Sequence, residues 1–295
     1  MGDPGLGLSQ IRGIEQTTLP TEAEVSVLVT GFGPFKAYAA NASNLISSSL
    51  PSSFTLPSAV PSSAPREGLV PTSRRVSIHV HPTPIPVAYS TIREIVPAIL
   101  DEYAKNHSGR RPDIVIHMGI AATRDCYSVE TQAHRDAYHL SDITGRSGFL
   151  DGEMHWRQLG LPPILRAGCA TDVRTTVNAP AMEIPDTAFG SKSQQAVQRH
   201  AHPRPPDDHF VDIWKTFAPP GADLRISKDA GRYACEFILY TSLAQAFQEG
   251  RDRNVAFFHV PPSCNDEDIE YGRNVAIAFI KALVTSWFGE KARDT

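Results

Sequence analysis

A chain of 295 residues with 41% hydrophobic content and a formal net charge of −4 is long enough to bury a large core, and it reads as one domain with insertions rather than two. Mild acidity without any Lys/Arg-rich block or basic-aromatic stripe speaks against nucleic acid as a partner, and no apolar run approaches the roughly 18 residues of a membrane span. Its four cysteines, Cys126, Cys169, Cys235 and Cys264, are scattered with no close pair at metal spacing, which in a chain this long points to a reducing, cytoplasmic setting rather than a disulfide framework.

Residues 1–22 are polar and Gly-rich, predict a disordered tail, and lack the basic-then-apolar pattern of a signal peptide. Residues 25–30 form a short β-branched run that ends in Gly31-Phe-Gly-Pro-Phe35, a buried strand stopped by a glycine turn. Pro34 in that turn removes an N–H, and no Lys-Ser/Thr follows, so a phosphate cradle is excluded. The Ser/Pro-dense stretch at about 51–73 holds neither a helix nor a central strand and reads as a surface insertion. Residues 76–81 alternate as a second strand. His79 and His81 share one of its faces without a third ligand nearby, which favours packing or surface roles over a metal site.

Farther along, Ile92, Ile95, Val96, Ile99 and Leu100 have amphipathic helical spacing, and residues 112–119 form another buried strand. The region from about 147 to 220 is rich in Pro, His and Asp with little periodicity and reads as a second insertion. A helix at 230–248, a strand at 254–260 and a helix at 268–288 close the chain. The acids Asp266, Glu267 and Asp268 are suited to the start of that last helix, where the peptide dipoles favour negative charge. Strands separated by helices imply an α/β fold, a three-layer α/β/α sandwich around a twisted mixed sheet.

The residue that points to chemistry is Cys235. It opens the predicted helix, and His259 follows 24 residues later at the end of a strand. Helix N-terminal dipoles favour a thiolate, and a paired imidazole lowers the thiol pKa further. A lone cysteine in an apolar helix is more often a small buried hydrophobe, and a histidine after Phe257-Phe258 can be a satisfied core residue, so the pair needs support. A cysteine nucleophile also needs a third group to orient its base and donors for the oxyanion. Glu130, beyond the strand ending at Gly119, is the best-placed acid, and the Cys235 backbone N–H is the natural oxyanion donor. Cys126, four residues before Glu130, reads as structural.

Four blocks in order resemble the pyroglutamyl peptidase I family of cysteine peptidases. They are Val27-Leu-Val-Thr-Gly-Phe-Gly-Pro-Phe35 with Asn41-Ala-Ser43; Pro112-Asp-Ile-Val-Ile-His-Met-Gly119 with Ser128-Val-Glu-Thr-Gln-Ala133; Asp229-Ala-Gly-Arg-Tyr-Ala-Cys235; and Phe258-His-Val-Pro-Pro262. The resemblance implies a phosphorylase/hydrolase-like sandwich and a Cys235, His259, Glu130 triad. It also implies a pyrrolidone pocket with Phe32, Phe35, Tyr233 and His117 as substrate-binding residues. The implied activity is removal of N-terminal pyroglutamate from small peptides, with no metal or organic cofactor, no nucleic acid and no membrane, and it is compatible with a homo-oligomer.

The chain departs from the family pattern at several points. Thr131 stands where a basic residue is usual, Arg135 where Asn is usual, and Glu236 follows the cysteine where bacterial members carry Asn; the 147–220 region is the largest departure. Two rivals remain beside this reading: a non-catalytic scaffold that has kept the fold, and a related cysteine amidohydrolase acting on another small N-acyl or lactam substrate.

Overall fold

The computed structural model describes residues 24–57, 73–175 and 201–289. In chain order the elements are β1 (Val25–Gly31), α1 (Ala42–Ser48), β2 (Ser53–Pro57), β3 (Ser73–Val80), α2 (Tyr89–Asn106), β4 (Ile114–Ile120), β5 (Tyr127–Glu130) and β6 (Ala133–His134). Then come α3 (Met154–Gln158), β7 (Ile164–Leu165), α4 (Asp208–Phe217), β8 (Leu224–Ser227), α5 (Ala234–Gln248), β9 (Val255–Val260) and α6 (Asp266–Phe288). The expected disordered tail at 1–22 lies outside the described residues.

Seven strands form one mixed sheet in the order β2-β3-β1-β4-β9-β5-β8. The four central strands β3, β1, β4 and β9 run parallel, and β5 joins β9 antiparallel. Central parallel strands are covered on both faces, which is why β1, β4 and β9 are nearly continuous apolar runs rather than alternating ones. Their period of two still sorts the side chains. Val25, Val27 and Val29 of β1, Ile116 and Met118 of β4 and Phe258 of β9 pack in one cluster with residues of α1, α4 and α6. Leu28, Val115 and Phe257 pack in the other with α2 and α5. The result is the three-layer α/β/α sandwich that the strand-helix alternation predicts.

Local signals explain the helix ends. The Asn265 side chain caps α6 by accepting from the Asp268 N–H at 2.8 Å, and Asp266, Glu267 and Asp268 fill its first turn. The start of α2 is held differently: Asp142, 53 residues away, accepts the Tyr89 N–H at 2.8 Å.

Two stretches read as insertions carry more structure than their composition indicates. Ser53–Pro57 is the edge strand β2, paired antiparallel with β3; Pro57 ends the strand at the sheet edge, where a missing N–H is tolerated. Residues 58–72 lie outside the described residues, as do 176–200. The described parts of 147–220 join the core. Trp156 of α3 lies 4.7 Å from Phe237 and 4.5 Å from Tyr240 of α5 between ring centroids, and Tyr240 donates to the Pro162 carbonyl at 2.7 Å. Trp214 of α4 is fully buried against Phe258 and Phe279. The five-residue α3 is too short to show a period, whereas α4 has a local apolar face of Phe210, Val211 and Trp214 that the overall Pro-, His- and Asp-rich composition of the region masks.

Candidate active site

The sheet register assembles the chemistry. On β9, Val255, Phe257 and His259 point to the α2/α5 side; on β5, Ser128 and Glu130 do the same. Ser128 pairs with His259 and Glu130 with Phe257, so Glu130 and His259 are diagonal neighbours on one face. His259 Nδ1 and Glu130 Oε1 are 2.8 Å apart although the two residues are separated by 129 positions. An ionised carboxylate only accepts, so Nδ1 carries the proton and Nε2 is left free. Both side chains are withdrawn from solvent.

Gly119 lies beside His259 in the β4–β9 register. A Cβ on Gly119 would lie 3.0 Å from Cys235 Sγ and 2.8 Å from Phe257 Cζ, so the thiol occupies the space a side chain would fill. This close approach requires glycine. Cys235 is the second residue of α5, whose N-cap, Tyr233, offers no side-chain hydrogen bond, so the first N–H groups of the helix have no side-chain cap. The turn into the helix is set by Gly231 at φ 80° and by Asp229, whose Oδ1 accepts from the Gly231 N–H at 3.0 Å and from Arg232 at 2.7 Å.

Cys235 and His259 line a cavity of about 220 Å³ together with Phe32, Phe35, Tyr233 and Arg124. Phe32 is buried, and its backbone N–H donates to Ser43 Oγ at 3.1 Å. Asn41 donates to the Gly33 carbonyl at 3.0 Å and accepts from Ser43 at 2.8 Å, locking the turn that presents the two phenylalanines. Phe35 and Tyr233 meet at 5.5 Å between centroids, and Lys36 Nζ sits 5.0 Å and 5.3 Å over the two rings. Burial, reinforced by the Glu130 charge, pushes the Cys235 thiol up to about 12.

The expected substrate-binding residue His117 is not at the cavity. It is buried between β1, β4 and α5, with Nδ1 2.7 Å from Thr30 Oγ1 and Nε2 2.6 Å from Ser242 Oγ. Burial drives its pKa down to about 3, so it is a neutral structural tie. Alternation along β4 puts its side chain toward α5, but two residues short of the cavity. Arg135 is also elsewhere: it pairs bidentately with Asp136 and donates to the Leu161 carbonyl at 2.6 Å, anchoring the 161–165 segment. Glu236, next to Cys235, is fully buried and accepts from His134 and Arg232, each at 2.6 Å.

His134, Asp229 and Glu236 bring ligand atoms within 4.8 Å of one another. The Arg232 guanidinium, which bridges the two carboxylates at 2.7 and 2.6 Å, already fills the cationic position there. Arg124 had no place in the sequence reading. The only signal was an isolated arginine in the loop between the Gly119 strand and Glu130, and a loop arginine is by default a solvated one.

No family model matches the chain. It is 26% identical over 242 residues to pyroglutamyl-peptidase 1 of Rattus norvegicus and of Homo sapiens, covering 80% of this chain and 79% of those proteins. The chain is similar to the pyroglutamyl peptidases over most of its length. A variant of the pyrrolidone carboxyl peptidase of Pyrococcus furiosus has the same fold, with a TM-score of 0.55 at 19% identity over 89% of this chain and 99% of that one. The pyroglutamyl peptidase I of Bacillus amyloliquefaciens matches at a TM-score of 0.51 and 21% identity over 88% of this chain and 96% of that one. Relative to this family, the basic neighbour expected after the acid is absent at Thr131, whose backbone N–H donates to the Ser227 carbonyl at 2.9 Å; Arg124 brings a cation to Glu130 from the preceding loop.

Proposed function

We propose that this protein is a cysteine exopeptidase that removes an N-terminal pyroglutamyl residue from peptides through a thioester intermediate. The observation that carries the reading is the small aromatic-walled cavity that contains both Cys235 and the Glu130-bound His259. At about 220 Å³ it lies below the roughly 300–1,000 Å³ of drug-sized sites, which suits one small lactam ring between Phe32 and Phe35. An uncyclised N-terminal Glu or Gln would bring an ammonium into this cavity, and desolvating that charge without a partner is costly.

The resting thiol is neutral, so the reaction starts with proton transfer rather than from a standing thiolate. As Sγ attacks the pyroglutamyl carbonyl carbon, His259 Nε2 takes the thiol proton, and Glu130 stabilises the imidazolium through Nδ1–H. The oxyanion accepts from the Cys235 backbone N–H at the head of α5. Collapse breaks the C–N bond, and the leaving amine takes the proton from His259. Water then attacks the thioester carbon and gives its proton to His259; the thiolate leaves and is reprotonated as free pyroglutamate is released. These steps use the Cys235, His259 and Glu130 side chains with the Cys235 backbone N–H, and they need the thiol reduced.

Substrates are small peptides beginning with pyroglutamate. A cytoplasmic site of action fits a long chain whose four cysteines are scattered with no close pair, and among the described residues no helix is long and apolar enough to cross a membrane. The test is hydrolysis of pyroglutamyl-aminomethylcoumarin in reducing buffer, with Cys235→Ala alongside. The wild type should turn over, and the variant should lose about 10³-fold or more. Absence of turnover by the folded, reduced wild type, or activity surviving in the variant, would refute the reading.

A further inference from the structure

Glu130 presents an electrostatic problem that the triad alone does not solve. Its side chain has no solvent exposure, its Oε1 faces His259, and its Oε2 has no hydrogen-bond partner among the described residues. A buried carboxylate in that state reverts to its neutral form unless a cation compensates it, and a neutral acid could no longer stabilise an imidazolium. The compensating cation comes from the loop between β4 and β5. Arg124 Nη1 lies 3.6 Å from Glu130 Oε1 and 3.4 Å from Ser128 Oγ, and its Nη2 donates to the Asp229 carbonyl at 3.3 Å in the turn that leads to Cys235.

We propose that Arg124 is a positioning residue of this site, the fixed countercharge that keeps Glu130 ionised and aimed at His259 while tying the β4–β5 loop to the turn before the nucleophile. The proposal rests on the peptidase reading above and adds a residue to it. Arg124 also lines the cavity with Cys235, and its charge acts to lower the thiol pKa against burial.

The charged and titratable groups around the pair are few. Facing Glu130 are His259 from β9, Arg124 from the loop and Cys235 from α5; the next α5 acid, Glu236, is engaged by His134 and Arg232. On the far side of Arg124, in a second cavity it also lines, stand Asp125 and the mutually paired Asp223 and Arg225. Removing the Arg124 charge therefore takes away a cation that favours the Cys235 thiolate against burial, and the acid limb of the reaction shifts to higher pH.

The test compares Arg124→Gln, which keeps polarity without charge, with Arg124→Lys, which keeps the charge. The side chain is 38% exposed, so both variants should fold, and a thermal melt checks this. With pyroglutamyl-aminomethylcoumarin, Arg124→Gln should move the acid limb of kcat/KM up by about one pH unit and lower kcat about tenfold or more at unchanged KM. Arg124→Lys should recover the wild-type limb. Alkylation of Cys235 by iodoacetamide at pH 8, read by peptide mapping, should slow about tenfold in Arg124→Gln, because the thiolate fraction falls tenfold per pKa unit.

The alkylation arm needs no substrate, so it judges Arg124 even if the wild type fails to hydrolyse pyroglutamyl substrates, an outcome that would sink only the peptidase reading. A wild-type acid limb and alkylation rate in Arg124→Gln would overturn the proposal. So would Arg124→Lys behaving like Arg124→Gln, or a loss confined to KM.

Discussion

At the scale of single residues, the thiol of Cys235 is governed by a contest between helix and burial. A helix N-terminus favours a nearby anion by about 0.3–1 kcal/mol, and up to about 2 in buried geometries. Desolvation of a fully buried group shifts a pKa by up to about 3–5 units, or several kcal/mol. Burial wins, and the thiol is pushed up to about 12. The helix start keeps N–H groups that Tyr233 leaves without a side-chain cap, and these are the donors proposed for the oxyanion. Gly119 is the second decisive residue. Adding one methyl would drive the sheet against Sγ and Phe257, so Gly119→Ala should lower kcat/KM by about 10²-fold or more in the coumarin assay, in line with the cost of misplacing a reacting atom by about 1 Å. Near wild-type kinetics in Gly119→Ala would mean that Sγ does not need the place it holds.

Among elements, α5 matters most, since it carries Cys235, the proposed nucleophile, and is buried nearly all round. It is tied to the sheet through the His117–Ser242 contact, and His117 in turn holds Thr30 of β1. This tie has a pH signature. The folded-state pKa is depressed to about 3 from 6.5, so the unfolded chain binds the proton first, and stability present above pH 6.5 is lost as pH falls toward 3. Each pH unit inside that window amounts to about 1.4 kcal/mol, so His117 alone should contribute a loss of about 2 kcal/mol between pH 7 and 5. His117→Gln should be less stable at pH 7 yet flatter in acid, as read from urea midpoints at the two values. An equally steep acid limb in the variant would assign the titration to other groups.

Across the whole molecule, the two faces of the sheet separate labour. The α1/α4/α6 side is apolar core, whereas the α2/α5 side places His259, Glu130 and Cys235 at one end of the sheet. Trp214 belongs to the first side, buried against Phe258 and Phe279 and donating to the Val275 carbonyl at 3.3 Å. Trp214→Ala should therefore cost about 3–5 kcal/mol in chemical denaturation while leaving KM for the pyroglutamyl substrate unchanged. A stability change under 1 kcal/mol would show that α4 is an appendage and not part of the core.

Much of this was legible in the chain. The apolar runs of β1, β4 and β9 and the helical spacing of α2 and α6 follow from local periodicity, and the four ordered blocks pointed to the pyroglutamyl peptidases that the chain is similar to. The four-residue strands β5 and β8 were not readable, because segments that short have no measurable period and draw their stability from neighbours far away in sequence; α4 does carry an apolar face of Phe210, Val211 and Trp214, which the reading of 147–220 as an aperiodic insertion passed over. Tertiary structure alone decided three further matters. Glu130 meets His259 through the diagonal register of an antiparallel strand pair, Arg124 stands beside that acid, and His117 is withdrawn from the cavity into the sheet–helix interface. The reason is physical: side-chain identity fixes which chemistry is available, whereas register and burial fix which groups meet and which protonation state each one keeps.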